Sequence, residues 1–228
     1  MRSRQWVDKM NNEDSITIRR LPVYLLVDCS GSMAGEPIAA MEMGIRALLS
    51  ELKNDPQAME TVWLSVITFS STAEQVVPLT DIEDFQVPDL EAAGTTALGE
   101  AASILAEKLE EEVRMTTDEQ KGDWKPLVYL FTDGEPTDDW EDPVDELHKM
   151  GRAIIIACGA GPEVDVTQLK RLSSTVIHLN DTQPGTLSAF MKWVSASVAM
   201  TSKSLGVQSE HGAQLPDFPE NEGMTFVD

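Results

Sequence analysis

Short apolar runs alternate along the chain with segments whose apolar residues repeat every three or four positions. Apolar runs of this length are typical of buried strands, and the longer repeat is typical of one face of a helix. The apolar runs lie at 23–27, 62–69, 127–131, 153–157 and 176–179. The helical segments between them begin near residues 36, 98, 142, 165 and 186. Because strands alternate with helices through short loops, we predict an α/β domain with a doubly wound, mainly parallel sheet.

Several local signals refine this prediction. Residues 73–79 follow a Ser-Ser pair and predict one antiparallel edge strand, which brings the predicted sheet to six strands. Asp142 followed by Pro143 has the form of a helix N-cap and a first-turn proline. The run Glu110-Glu111-Glu112 ends a helical stripe, and we interpret it as a solvated face.

The chain divides into a central domain with a polar segment at each end. Residues 1–20 form an N-terminal lead-in, in which Ile16 and Ile18 are candidates to begin the first strand. Residues 21–202 carry the alternating strands and helices. Residues 203–228 are rich in Gly, Pro and acidic residues, so we expect a flexible acidic tail there.

The charge of the chain restricts its partners. The 228 residues include 39 acidic and 17 basic side chains, which gives a formal net charge of -22. A field of this sign repels nucleic acid and anionic membrane surfaces, and it favours cations and basic protein faces. No apolar run approaches the ~20 residues of a membrane-spanning helix. The start of the chain lacks the apolar core of a signal peptide, so we expect a cytoplasmic protein.

The two cysteines fit that compartment. Cys29 and Cys158 are too few for a disulfide framework, and we interpret them as free thiols in a reducing environment. Each follows a predicted strand near the same end of the sheet, so a pair between them stays open.

Candidate chemistry is concentrated in the loop after the first strand. Asp28, Ser30 and Ser32 present oxygen donors at alternate positions, where open α/β sheets place their ligand sites. Gly31 permits a tight turn that lets the flanking hydroxyls face one point. Carboxylate and hydroxyl oxygens suit Mg2+ or a similarly hard cation rather than zinc or copper. The sequence therefore predicts a divalent-metal site in this loop.

The Asp-x-Ser-x-Ser pattern resembles the metal-ion-dependent adhesion site of von Willebrand factor A domains. That family completes the site with a threonine from a second loop and an aspartate from a third. The segments Gly94-Thr95-Thr96 and Thr132-Asp133-Gly134 occur in that order, before a predicted helix and after a predicted strand. The resemblance implies a Rossmann-like A-domain fold with a metal site assembled from three loops.

The resemblance also implies which side chains hold the metal. The implied ligands are Asp28, Ser30, Ser32, Thr96 and Asp133. Relatives often have Gly-Gly-Thr in the second loop, which favours Thr96 and leaves Thr95 as the alternative. The nearby residues Glu135, Asp138 and Asp139 are interpreted as a solvated acidic loop.

The amino-acid sequence around these motifs resembles that of the TerY branch of A-domain proteins, which occurs in tellurium-resistance gene clusters. The similar segments are 21–28, 60–69 and 121–127, and the resemblance covers roughly residues 20–202. It implies a bacterial cytoplasmic protein that acts in a chemical-stress complex. Its implied partners are other products of the same gene cluster, such as a kinase and a phosphatase.

Two classes of function follow from the predicted site. In the first, the chain is a non-enzymatic interaction module, and the carboxylate of an Asp or Glu from a protein partner fills an open position on the metal. In the second, Asp28 is the nucleophile of a Mg2+-dependent phosphoryl-transfer hydrolase. Such hydrolases need a carboxylate two residues after the nucleophile, and Ser30 cannot replace it as acid and base near neutral pH. The sequence therefore favours the interaction module, and it does not separate Mg2+ from Mn2+ or Ca2+.

Overall fold

A seven-stranded mixed sheet forms the centre of the computed structural model, which describes residues 19–118, 120–162, 164–205, 215–217 and 223–227. The strands are β1 (Leu21–Asp28), β2 (Val62–Phe69), β3 (Ala73–Asp81), β4 (Leu127–Thr132), β5 (Ile154–Ala160), β6 (Thr175–Leu179) and β7 (Met224–Phe226). The helices are α1 (Glu36–Lys53), α2 (Pro56–Thr61), α3 (Leu98–Glu111), α4 (Glu141–Met150), α5 (Val166–Leu172) and α6 (Pro184–Leu205).

The order of the strands confirms the doubly wound α/β class. The sheet runs β3-β2-β1-β4-β5-β6-β7, and its five inner strands are parallel. β3 pairs antiparallel with β2, as predicted for residues 73–79. β7 pairs antiparallel with β6 and makes a seventh strand that the prediction of six strands did not include. Its three residues are too short to produce a pattern, and only the pairing with β6 defines it.

Alternating side chains of β1 divide the core into two layers. Leu21, Val23, Leu25 and Val27 join the apolar cluster formed with α1, α2 and α6. Tyr24 and Leu26 join the cluster formed with α3, α4 and α5. Because helices cover both faces, every residue of β1 and β4 is buried. This arrangement explains why the inner strands are continuous apolar runs.

Two local predictions are wrong. α4 begins at Glu141 with Trp140 at its N-cap, so Asp142 lies within the first turn and is not the cap. Glu112 is not part of a solvated face, because its carboxylate accepts a hydrogen bond from the Tyr24 hydroxyl at 2.9 Å. The Gln75 side-chain amide donates to the same carboxylate at 3.1 Å. Glu112 therefore connects β1 and β3 to the end of α3.

The ends of the domain differ in part from the predicted boundaries. Ile16 and Ile18 lie outside the described residues. α6 extends to Leu205, and the predicted tail contributes β7. The Trp193 indole of α6 also donates to the Pro216 carbonyl at 2.9 Å. Among the residues that the structure describes, no helix is both long enough and apolar enough to span a membrane.

Candidate metal centre

Three loops meet at the carboxyl end of β1 and β4. These strands are parallel neighbours, with Val27 opposite Phe131, so Asp28 and Asp133 leave the sheet side by side. Two backbone hydrogen bonds hold the loop before α3 against them. The Ala93 N–H donates to the Cys29 carbonyl at 2.8 Å, and the Gly31 N–H donates to the Gly94 carbonyl at 3.0 Å. The fold thus brings together the three segments that the sequence singled out.

Asp28 lies at the bottom of this cluster and is held in place by hydrogen bonds. It is fully buried, and its Oδ1 accepts a hydrogen bond from the Ser30 N–H at 2.8 Å. Its Oδ2 accepts one from the Thr132 hydroxyl at 2.6 Å. Burial raises the pKa of Asp28, and the hydrogen bonds from Thr132 and Ser30 act in the opposite direction. Both carboxylate oxygens are therefore oriented by the protein itself.

A chain of short oxygen contacts links the other ligand candidates. The hydroxyl oxygens of Ser30 and Ser32 lie 2.9 Å apart. The Ser32 hydroxyl donates to Oδ1 of Asp133 at 2.7 Å. Asp133 is buried, which raises the pKa of its carboxyl group, while the Ser32 hydrogen bond opposes that change. These contacts place hydroxyls from the first loop directly against the carboxylate of the third.

The two threonines of the second loop occupy different environments. Thr95 is exposed, and its N–H and hydroxyl lie 3.2 Å and 3.4 Å from the Ser71 hydroxyl. Thr96 is only 6% exposed, and its hydroxyl lies on the side of the Gly134 turn. A Cβ placed on Gly134 would lie 3.7 Å from that hydroxyl oxygen, so Thr96 borders the Asp133 loop. Thr96 therefore lies beside the Asp133 loop, whereas Thr95 contacts Ser71.

Two oxygen spacings in this cluster are compatible with a six-coordinate ion. Mg2+ holds its ligands at about 2.0–2.1 Å, so oxygens at right angles around it lie about 3 Å apart. The contacts of 2.9 Å and 2.7 Å in the cluster are close to that spacing. Within the described ranges, no group of three or more His, Cys, Asp or Glu side chains could hold a metal. A metal held in this cluster would therefore need hydroxyl ligands beside the carboxylates, and Ser30 and Ser32 offer them.

Three supporting residues were not found from the sequence. Thr132 orients Asp28, as described above, Thr137 binds the loop before α3, and Asp138 binds the first turn of α3. The Thr96 N–H donates to the Thr137 hydroxyl at 3.0 Å. The Asp138 carboxylate accepts from the Gly99 N–H at 3.1 Å, so Asp138 is not simply part of a solvated loop. Only the proximity of Asp133 in the sequence could have indicated them.

A family model for the von Willebrand factor type A domain matches residues 23–185. The chain belongs to this family. The matched range includes the Asp28 loop, Thr96 and Asp133, so the A domain contains all three loops of the candidate centre. No curated protein sequence matches the chain.

Solved structures share this A-domain fold at low sequence identity. Proximal thread matrix protein 1 from the mussel byssus matches with a TM-score of 0.58 and 20% identity, over 80% of this chain and 48% of that chain. A von Willebrand factor type A protein from Catenulispora acidiphila matches with a TM-score of 0.61 and 20% identity, over 80% and 43%. The pilus adhesin SpaC from Lactobacillus rhamnosus GG matches with a TM-score of 0.62 and 13% identity, over 80% and 30%.

These neighbours establish the fold, and this chain spans less than half the length of each. A further structure of the mussel protein has zinc in its adhesion-site motif.

Proposed function

We propose that this A domain is a metal-dependent protein-interaction module without enzymatic activity. The proposed ligands are Asp28, Ser30, Ser32, Thr96 and Asp133. The observation that carries the proposal is the row of contacts from Ser30 through Ser32 to Asp133, with oxygen spacings of 2.9 Å and 2.7 Å. The Thr96 hydroxyl, which borders the Asp133 loop at Gly134, adds a further oxygen beside this row.

The exposure of the ligands defines the side from which a partner approaches. Asp28 and Ser30 are buried beneath the loop, whereas Ser32 is exposed. A bound divalent ion supplies a positive centre that accepts an Asp or Glu carboxylate from a protein partner. The buried side chains hold the base of the site and leave its outer side to the partner.

Local charge explains why the metal would be needed for this binding. The segments around the site, 28–37, 70–74, 90–100 and 132–142, contain no Lys or Arg. A partner carboxylate is therefore repelled by the surrounding protein unless a cation reverses the sign at close range. Partner binding through this site should be lost when the ion is removed.

The geometry gives less support to the alternative phosphoryl-transfer hydrolase. A nucleophilic Asp28 would have to present an oxygen to a phosphate group, but the residue is fully buried. Its two oxygens accept hydrogen bonds from the Ser30 N–H and the Thr132 hydroxyl. Position 30 also carries a serine where such hydrolases use a carboxylate.

The biological setting within this proposal depends on the resemblance to the TerY branch. We place the chain in the bacterial cytoplasm, in a tellurium-resistance or chemical-stress complex, with Mg2+ as its ion. The partners that fit are proteins of the same gene cluster, including a kinase or phosphatase. Cys29 and Cys158, which are both free and buried, are consistent with a reducing compartment.

Calorimetric titration with Mg2+, Mn2+, Ca2+ and Zn2+ tests the metal site. We expect one ion per chain for the wild type and no binding for Asp28→Ala, with the domain still folded because the buried strands carry its stability. Thr96→Val should weaken binding by at least tenfold, whereas the matched variant Thr95→Val should leave it within twofold. Equal heats from the wild type and Asp28→Ala would contradict the assignment.

Affinity capture from the native cell tests the interaction. A co-purifying protein should be released by EDTA, should not be retained by Asp28→Ala or Ser32→Ala, and should stay bound in moderate salt. A partner that survives EDTA and both substitutions binds elsewhere on the domain, and the proposal is then wrong.

A further inference from the structure

The helix that follows the Thr96 loop obtains its N-terminal cap from a distant part of the chain. Ala97 occupies the N-cap position of α3 and has no side chain that can cap. Asp138 replaces it, because its carboxylate accepts from the Gly99 N–H at 3.1 Å and the Glu100 N–H at 3.0 Å. These N–H groups belong to the first turn, where helices lack internal acceptors. The start of α3 is therefore fixed by the loop that follows β4.

Thr137, the residue before Asp138, forms two hydrogen bonds with the backbone of Thr96. The Thr96 N–H donates to the Thr137 hydroxyl at 3.0 Å, and the Thr137 N–H donates to the Thr96 carbonyl at 2.9 Å. The start of α3 also packs closely against the backbone of the same loop, since a Cβ on Gly99 would lie 2.6 Å from the Asp139 carbonyl oxygen. Thr137 thus joins the backbone of one ligand candidate to the loop that carries another.

We propose that the Thr137–Asp138 segment positions Thr96 relative to Asp133 and thereby sets the metal affinity of the site. This inference rests on the proposed function, because it assumes that both residues bind the ion. Thr137 lies four residues after Asp133. A single short loop therefore carries the proposed ligand Asp133 and also binds the backbone of the proposed ligand Thr96. Thr137 is a positioning residue and does not itself bind the metal.

The effect on affinity follows from preorganisation. Partners that orient a metal ligand typically change metal affinity by 10–100-fold when they are removed. Without the Thr137 hydroxyl, Thr96 keeps one of its two backbone hydrogen bonds to residue 137, and its hydroxyl loses part of its fixed position. The neighbouring Ser71 contacts hold Thr95 rather than Thr96, so they do not replace the lost bond.

Thr137→Val is the most direct test, because it removes the hydroxyl and leaves both charge and shape nearly unchanged. Titration of the full chain with Mg2+ should show an affinity about tenfold weaker than that of the wild type. Thr137→Ser keeps the hydroxyl and should restore the affinity to within about twofold. Thr80→Val is the matched control, since the Thr80 hydroxyl donates only to the nearby Pro78 carbonyl at 2.7 Å. It should leave the affinity unchanged.

Asp138→Ala extends the test to the other half of the segment, with Asp165→Ala as its control. Asp165 caps α5 in the same way, by accepting from the Thr167 N–H at 2.7 Å, but none of the proposed ligands lies in that helix or its leading loop. Thermal unfolding in EDTA should show a similar loss of stability for both variants. Only Asp138→Ala should also lose metal affinity, by about tenfold.

The outcomes separate this inference from the proposed function. If the wild type binds no divalent ion, the proposed function fails and this inference falls with it. If the wild type binds the ion and Thr137→Val binds it equally well, the metal site stands and the positioning role is wrong. If Thr137→Val is too unstable to titrate, Asp138→Ala decides: unchanged affinity there overturns the proposal, and a selective loss supports it.

Discussion

Replacing Asp123 with alanine should destabilise the fold more than most single substitutions in this chain. The Asp123 carboxylate accepts hydrogen bonds from Arg20 Nε at 2.9 Å and Arg20 Nη2 at 2.5 Å. It also accepts one from the Arg114 N–H at 2.8 Å. The side chain of Arg20 is 10% exposed, and that of Asp123 is 2% exposed. Asp123→Ala would therefore leave a buried guanidinium without its counter-ion.

The expected loss in the free energy of unfolding depends on the contacts that Arg20 keeps in Asp123→Ala. Removing one partner of a buried ion pair typically costs about 3–5 kcal/mol. Arg20 retains a hydrogen bond to the Glu112 carbonyl at 2.7 Å and lies over the Trp63 ring at 4.6 Å. We therefore expect the lower end of the range, a loss of about 3 kcal/mol in the free energy of unfolding.

Urea unfolding measures this loss. With a slope of about 3 kcal/mol per molar urea, the midpoint of Asp123→Ala should fall by about 1 M. Arg46→Ala is the matched control, because Arg46 forms an exposed ion pair with Glu42 at 2.6 Å and its side chain is 52% exposed. That variant should change the free energy by less than about 0.5 kcal/mol. If Asp123→Ala loses less than about 1 kcal/mol, the buried pair does not stabilise the fold as argued.

Further predictions concern a capping residue, the thiols and the absence of hydrolysis. Asp55 is the N-cap of α2, and its carboxylate accepts from the Gln57 and Ala58 N–H groups. Burial acts to raise the pKa of Asp55, but the Lys203 ammonium and these two N–H groups outweigh it and lower the pKa below its usual value. Asp55→Ala should therefore cost about 1 kcal/mol at pH 7, and in urea unfolding this difference should shrink as the pH falls below about 4. Burial raises the pKa of Cys29 to about 12 and that of Cys158 well above its usual value, so iodoacetamide at pH 8 should label both thiols only after unfolding. The purified protein should not hydrolyse an aryl phosphate above background, and metal-dependent turnover that disappears in Asp28→Asn would restore the hydrolase interpretation.

The features that could be predicted from the sequence are those with a local signal. The apolar run of β1 and the three-and-four repeat of α1 depend only on neighbouring positions, and both elements lie where they were predicted. The Asp28 loop was identified because three oxygen donors follow one another at alternate positions. α2 gave no such signal, since its six residues are too few for a repeat.

The features that were missed depend on contacts between distant segments. Glu112 was interpreted as solvated because it ends an acidic run, and only the fold places Tyr24 next to it. Asp138 was placed in a solvated loop, although it caps a helix that begins 40 residues earlier in the sequence (138 minus 98). Asp165 caps α5 from the position directly before that helix, where a local signal exists, whereas the cap that was predicted at Asp142 is wrong and the Asp138 cap has no local signal.

The two outer strands of the sheet have a consequence for self-association. β3 and β7 both run antiparallel to their neighbours, β3 contains Pro78, and β7 has only three residues. A proline provides no N–H for a further strand, and a very short edge offers little backbone to pair with. Growth of the sheet by strand addition, the usual route from an open sheet to aggregates, is thereby discouraged at both ends. In the proposed interaction module, recognition of a partner would then depend on the loops around Asp28 and not on the edges of the sheet.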